Sequence, residues 1–157
     1  MRLTLTGLAI GVFLLQSPAD NAIRLIVKAD DMGAAHGINV ATIDAYRNGI
    51  VSSTNVIVPG PWFPEAVKLL NENPGLDVGV HLAITSEWDA VKWRPLAWAP
   101  SIVGPDGYFF PNIPAIRAVN WQLDDIEREL RAQLEMAKRH LPQATYTWNH
   151  MGFTSLG

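Results

Sequence analysis

The chain has 157 residues, of which 48% are hydrophobic, and its 15 acidic residues outnumber its 12 basic ones to give a formal charge of −3. This composition supports a folded core and excludes wholesale disorder, while the mild acidity argues against nucleic acid or an anionic membrane surface as the main partner. Because the chain has no cysteine, disulfides, thiolate metal ligands and a cysteine nucleophile are also excluded.

Residues 1–19 have the pattern of a signal peptide. Arg2 supplies the positive charge, residues 3–15 form an apolar run, and the small residue Ala19 precedes the expected cleavage site. The run is shorter than the roughly 20 apolar residues that span a bilayer. We therefore expect an exported protein, periplasmic or extracellular, whose folded part occupies residues 20–157 and has no stable membrane span after cleavage. The alternatives are a retained membrane anchor and a start codon wrongly assigned upstream of Ile23.

Short apolar runs alternate with helical patterns along the rest of the chain. The runs are rich in β-branched residues and predict buried strands, whereas apolar residues spaced three and four apart predict helices. This alternation favours an α/β fold with a mainly parallel sheet. In chain order, the predicted strands are residues 23–29, 53–58, 76–82 and 145–148, and the predicted helices are residues 37–48, 64–73 and 121–141.

The last predicted helix has the clearest periodicity, and one apolar stripe along it is expected to face the core. The stripe consists of Leu123, Ile126, Leu130, Leu134, Ala137 and Leu141.

Residues 84–118 have no sustained periodicity, and a loop of this length is usually functional or disordered. Its tryptophans argue against disorder, and indole rings stack on the apolar faces of sugars while offering an N–H group. We expect a substrate contact from this loop, with Trp88, Trp93 and Arg94 as the candidate residues. The alternative is that the tryptophans form a small core under the loop.

Potential metal ligands stand at the ends of three predicted strands. Asp30 and Asp31 follow the first strand, His81 lies at the end of the third, and His150 follows the fourth. Because the carboxyl ends of parallel strands meet at one edge of a sheet, these side chains can converge. One carboxylate and two imidazoles suit a divalent cation such as zinc, and the second carboxylate could act as a base. Each residue alone also fits an ordinary role as a helix cap, a solvated turn or a buried histidine.

Three motifs, in this order, resemble the YdjC-like carbohydrate deacetylase family of chitooligosaccharide and hopanoid type. They are VKADDMG with the following GIN-containing helix, GLDVGVHL at the third strand, and TWNHMG after the fourth. The resemblance extends over residues 23–153. It implies a TIM-barrel-like (βα) fold and a metal-dependent hydrolase that removes acetyl groups from an N-acetylated oligosaccharide or glycan.

The resemblance also implies roles for single residues. Asp31, His81 and His150 would bind a divalent ion, zinc or magnesium, and Asp30 would be the general base. Asn149 departs from the family pattern, because many members have an acid beside the ligand histidine.

The family domain continues beyond the four predicted strands, so we expect a truncated barrel, the N-terminal part of a deacetylase domain. Its open sheet edges favour a homo-oligomer. Two alternatives to an active deacetylase are a sugar-binding protein without catalysis and a structural half-domain that needs a partner.

Overall fold

The computed structural model describes residues 23–156, so the predicted signal peptide lies outside the described residues. The strands β1 (Lys28–Met32), β2 (Ser53–Val56), β3 (Asp77–Leu82) and β4 (Tyr146–Asn149) form one parallel sheet in chain order. The helices are α1 (His36–Asn48), α2 (Phe63–Asn71), α3 (Ile113–Arg117) and α4 (Leu123–His140), with 3₁₀ helices at Pro100–Ile102 and His150–Leu156. Parallel strands in sequential order, joined through helices, are the arrangement of part of a (βα) barrel. The predicted α/β fold with a mainly parallel sheet is thus confirmed.

The side chains of β3 alternate between two faces of the sheet. Val78 and Val80 are buried in the hydrophobic core, whereas Gly79 and His81 face the other way. A Cβ atom at Gly79 would lie 2.3 Å from the ring of Tyr146 on β4. Residue 79 must therefore be glycine, because the Tyr146 ring lies against it on the same face of the sheet as His81.

The first strand begins later than its apolar run predicts. Residues 23–29 were the predicted strand, but pairing with β2 starts where the N–H groups of Ser52 and Ser53 donate to the carbonyl of Val27. Within residues 23–156, β2 is the only strand beside β1, so the earlier apolar residues have no partner strand. The shift places Asp30 and Asp31 inside β1 rather than in the loop after it.

Helix α4 buries most of the predicted stripe and, in addition, polar residues that the stripe did not include. The stripe residues that are buried or partly buried are Ile126, Leu130, Ala137 and Leu141. Leu123 is 67% exposed and Leu134 is also exposed, whereas Glu129 and Gln133 are completely buried. Gln133 donates from Nε2 to the carbonyl of Ala83 at 2.6 Å and accepts the N–H of Ala83 at 3.0 Å. Apolar spacing alone therefore predicted most of the stripe but missed these polar side chains, which are buried because they satisfy backbone groups after β3. None of the helices in the described part of the chain is long and apolar enough to cross a membrane.

Candidate metal centre

Three of the predicted ligands meet at the carboxyl ends of β1, β3 and β4. Asp31 lies near the end of β1, His81 lies near the end of β3, and His150 directly follows β4. One potential ligand atom of each residue lies within 4.8 Å of the other two. The Nδ1 atoms of His81 and His150 lie 2.9 and 3.4 Å from Oδ1 of Asp31. The sequence prediction that these residues converge is therefore correct.

The backbone of Asp31 has an uncommon conformation that one buried amide stabilises. Its φ is 69°, in the left-handed region where a residue other than glycine is strained by about 1–3 kcal/mol. Asn55 on β2 is completely buried, and its Oδ1 accepts the N–H of Asp31 at 3.0 Å. Sequence reasoning missed Asn55, although a polar residue inside the apolar stretch of β2 was a usable signal.

The neighbouring carboxylate, Asp30, is held outside this group of three. Its Oδ1 accepts a hydrogen bond from Nδ2 of Asn55 at 2.8 Å and pairs with Nζ of Lys28 at 2.5 Å. The Lys28 ammonium also lies 4.1 Å from the ring centre of Trp148. The side chain of Asp30 is 47% exposed, so its carboxylate is fixed in position and still open to water.

The atoms of the three residues fit a divalent cation. Oδ1 of Asp31 and Nδ1 of His81 are buried, and apart from the close approaches among these three residues neither atom has a hydrogen-bond partner, although buried polar atoms almost always have one. A cation bound to both atoms would satisfy them. Zinc bonds of about 2.0–2.2 Å in tetrahedral geometry place two ligand atoms of one ion about 3.3–3.6 Å apart. The 3.4 Å between Asp31 and His150 is in this range, and the 2.9 Å between Asp31 and His81 is shorter by about 0.5 Å. One carboxylate and two imidazoles are a ligand set that divalent cations accept.

The ionisation of these residues also favours a cation. Burial alone would raise the pKa of Asp31, but His150 and His81 beside it lower that pKa well below its ordinary value. Burial opposes the charge on His150, yet the carboxylates of Asp31 and Glu87 outweigh burial and raise its pKa to about 9. Without a metal, His150 therefore carries a proton at neutral pH. A bound metal ion would supply positive charge in place of that proton.

A carboxylate from the long loop supports His150. Oε2 of Glu87 lies 2.9 Å from Nε2 of His150, and both side chains are largely or wholly buried. Asn149, which occupies the position of the family acid, instead donates to Oγ1 of Thr154 at 3.4 Å. Sequence reasoning missed Glu87, because the loop that carries it has no periodicity to indicate which side chains point inward.

The predicted substrate residues occupy two different settings. Trp93 is 2% exposed, its indole N–H donates to a backbone carbonyl of the same loop, and its ring lies 5.9 Å from that of His150. Trp88 is partly buried and meets Trp93 edge-on at 5.8 Å. Burial therefore favours the packing interpretation for Trp93. Arg94 is exposed and stacks on the ring of Tyr108 at 4.1 Å, and a sugar contact by Trp88 or Arg94 stays a prediction.

Comparison with known proteins gives the same family as the motifs. The model of the family described as YdjC-like protein matches residues 24–157. Carbohydrate deacetylase 1 of Listeria innocua is 34% identical over 114 residues, which are 71% of this chain and 44% of that protein. The carbohydrate deacetylase of Geobacillus stearothermophilus is 39% identical over 110 residues, 70% of this chain and 42% of that protein. The chain thus spans less than half the length of these curated relatives.

A solved structure has the same fold. It is the crystal structure of a protein from Enterococcus faecalis that is named for cellobiose-phosphate cleavage, and its TM-score with this chain is 0.70 at 26% sequence identity. The match covers 80% of this chain and 47% of the other.

Proposed function

Because the chain belongs to the YdjC-like family, we propose that it forms the metal-binding part of an exported carbohydrate deacetylase. The reaction would be hydrolysis of the acetyl amide of an N-acetylated oligosaccharide or glycan, which releases acetate and an amine. The observation that carries the proposal is the meeting of Asp31, His81 and His150, with two buried ligand atoms that have no hydrogen-bond partner outside these three residues. The curated relatives' names support the reaction class.

Three residues of the chain would hold the metal, and a fourth would handle the proton. Asp31, His81 and His150 would hold a divalent ion, and its positive charge would polarise an amide carbonyl and lower the pKa of a water molecule. Asp30 is the proposed general base. Its carboxylate is next in the chain to a metal ligand, is fixed by Asn55 and is open to water, as a base that takes a proton from water must be.

The long loop after β3 would contribute the sugar contacts. Trp88 is partly buried and lies against Trp93, whose ring contacts that of His150. A sugar ring that stacks on Trp88 would therefore lie close to the metal ligands. Arg94 would offer hydrogen bonds to the hydroxyl groups or carbonyls of the same glycan.

Acetate release from N-acetylated chitooligosaccharides tests the proposal. We expect release by the purified protein with zinc and none after treatment with a chelator. Asp30→Asn should abolish release while zinc stoichiometry is retained. Asp44→Asn, the same change at an exposed position of α1, is the matched control and should retain both. Oligosaccharide binding with no release under any metal condition would contradict the hydrolase and support a sugar-binding protein without catalysis.

The outer edge of β4 favours a second candidate, a half-domain that a partner completes. Within the described residues, β4 pairs with β3 alone, and Trp148 on β4 and Leu123 on α4 are exposed. Open strand edges and exposed apolar side chains are usually covered in a stable protein. Sedimentation separates the candidates, since a monomer that releases acetate contradicts the half-domain and an inactive, stable dimer supports it.

A further inference from the structure

We infer that Glu87 is a positioning residue, which fixes the tautomer and orientation of His150 so that Nδ1 is the nitrogen that faces the metal. The inference depends on the proposed metal site, because it concerns how one of its three ligands is presented. It assigns a function to a residue outside the ligand set and the predicted base.

The two nitrogens of the His150 ring face two different carboxylates. Nε2 lies 2.9 Å from Oε2 of Glu87, and Nδ1 lies 3.4 Å from Oδ1 of Asp31. An ionised carboxylate only accepts hydrogen bonds, so the contact with Glu87 requires hydrogen on Nε2. In the neutral ring, the lone pair is then on Nδ1, on the side of Asp31. Glu87 thereby selects the tautomer that can bind a metal there.

Neighbouring rings leave His150 little freedom to turn. The His81 ring meets it edge-on at 4.9 Å, and the Trp93 ring lies 5.9 Å from it. The His150 side chain is 4% exposed, so water competes little for its nitrogens. If the hydrogen moved from Nε2 to Nδ1, the largely buried carboxylate of Glu87 would lose its hydrogen-bond donor.

The carboxylate that contacts His150 belongs to a loop 63 residues earlier in the chain, not to the residues that follow β4. Met151 and Gly152 both have positive φ values, 51° and 65°, so the chain turns sharply after His150. The side chain of Asn149 is engaged with Thr154. The loop after β3 instead brings Glu87 to the far side of the ring. The metal-ligand histidine is thus held by a carboxylate, an arrangement whose loss in metal sites typically lowers metal affinity 10- to 100-fold.

Zinc affinity, measured by competition with a chromophoric chelator, tests the inference. We expect Glu87→Ala to lower the affinity by about 10- to 100-fold. Glu87→Gln should lower it by less than about tenfold, because the amide carbonyl still accepts the Nε2 hydrogen. Glu127→Gln removes the same charge from an exposed position of α4 and should leave the affinity unchanged. Affinity for zinc that is unchanged in Glu87→Ala would overturn the inference.

Nitrogen NMR of the His150 ring provides a readout that loss of stability would not mimic. In the metal-free wild-type protein above the pKa of His150, we expect hydrogen on Nε2, and in the zinc-loaded protein we expect the metal on Nδ1. Glu87→Ala should give a mixture of tautomers, and Glu87→Gln should restore the Nε2 form. Zinc on Nε2, or an Nδ1–H tautomer in the wild type, would overturn the inference. A wild-type protein that binds no zinc would contradict the proposed metal site, while the metal-free tautomer would still decide the role of Glu87.

Discussion

Two histidine–glutamate pairs in this protein have nearly the same length but very different surroundings. His150 and Glu87 are 2.9 Å apart, and His36 and Glu65 are 2.8 Å apart. The side chain of His150 is 4% exposed, whereas that of His36 is 58% exposed. Of the two imidazoles, only that of His150 lies between two carboxylates, since Asp31 faces its other nitrogen. A short distance from histidine to carboxylate is therefore not enough to indicate a metal site, and it is burial together with a second carboxylate that sets the candidate ligand His150 apart from His36.

The largest effect on the proposed metal site is expected from removing the negative charge of Asp31. Asp31→Asn keeps the shape of the side chain and removes its charge, so zinc affinity should fall by more than about 100-fold, beyond the range typical of a supporting residue. Chelator competition measures this affinity, and elemental analysis gives the stoichiometry. Asp44→Asn should leave both unchanged. Full zinc stoichiometry in both Asp31→Asn and His81→Ala would rule out the assigned site.

The buried pair should also make zinc affinity depend on pH. The pKa of His150 is raised from its ordinary 6.5 to about 9, and the metal requires the neutral ring. Zinc affinity should therefore rise nearly tenfold per pH unit from pH 6.5 towards pH 9 and then level off. The stability of the metal-free protein should change with pH in the opposite direction. The raised pKa of His150 stabilises the fold fully below pH 6.5, and this stabilisation is lost as pH rises through 9.

Chelator competition and urea unfolding at several pH values measure the two trends. Glu87→Gln removes one of the two carboxylates that raise the pKa of His150, so its affinity should level off at a lower pH. A flat affinity profile between pH 6.5 and pH 9 would contradict the raised pKa.

The sequence was sufficient to predict the parallel sheet and the convergence of the three candidate ligands. Strand ends are marked by where apolar runs stop, and the topology then brings Asp31, His81 and His150 to one edge. The residue pattern alone could not separate Asp30 from Asp31, and only the family resemblance implied different roles for them, because their separation depends on the left-handed φ of Asp31 and on Asn55. Neither a backbone angle nor a cross-strand hydrogen bond has a periodic signature.

Helix α4 and the long loop show a second limit of the sequence. Glu129 and Gln133 are completely buried, although hydropathy alone assigns such residues to the surface. They are buried because Gln133 bonds both backbone groups of Ala83 and Glu129 accepts the N–H of Ala97 at 2.8 Å. These partners belong to a loop whose path only the folded chain determines. The contact of Glu87 with His150 was hidden for the same reason.

A smaller effect is expected from removal of the Asn55 amide, which contacts both Asp30 and Asp31. Asn55→Ala would leave the N–H of Asp31 without its partner and Asp30 without one of its two contacts. An unpaired buried polar group costs about 1–3 kcal/mol, so the free energy of unfolding of the metal-free protein should fall by about this amount. Urea unfolding measures it, with Asn48→Ala, at an exposed position of α1, as the control. Equal stability of the Asn55→Ala and wild-type proteins would show that Asn55 does not hold the strained turn.

The smallest effect is expected at the exposed pair. Exposed ion pairs contribute little to stability because water and salt screen them. The pKa of Glu65 is lowered mainly by a hydrogen bond from Asn39, which does not involve the His36 imidazole. His36→Ala should therefore leave the urea midpoint and the zinc affinity unchanged within error, whereas His150→Ala should remove zinc binding. Both variants lose one imidazole that contacts a glutamate, so they differ chiefly in burial and in the second carboxylate. A loss of zinc affinity in His36→Ala comparable to that in His150→Ala would mean that the exposed pair takes part in the centre and that burial does not separate the two.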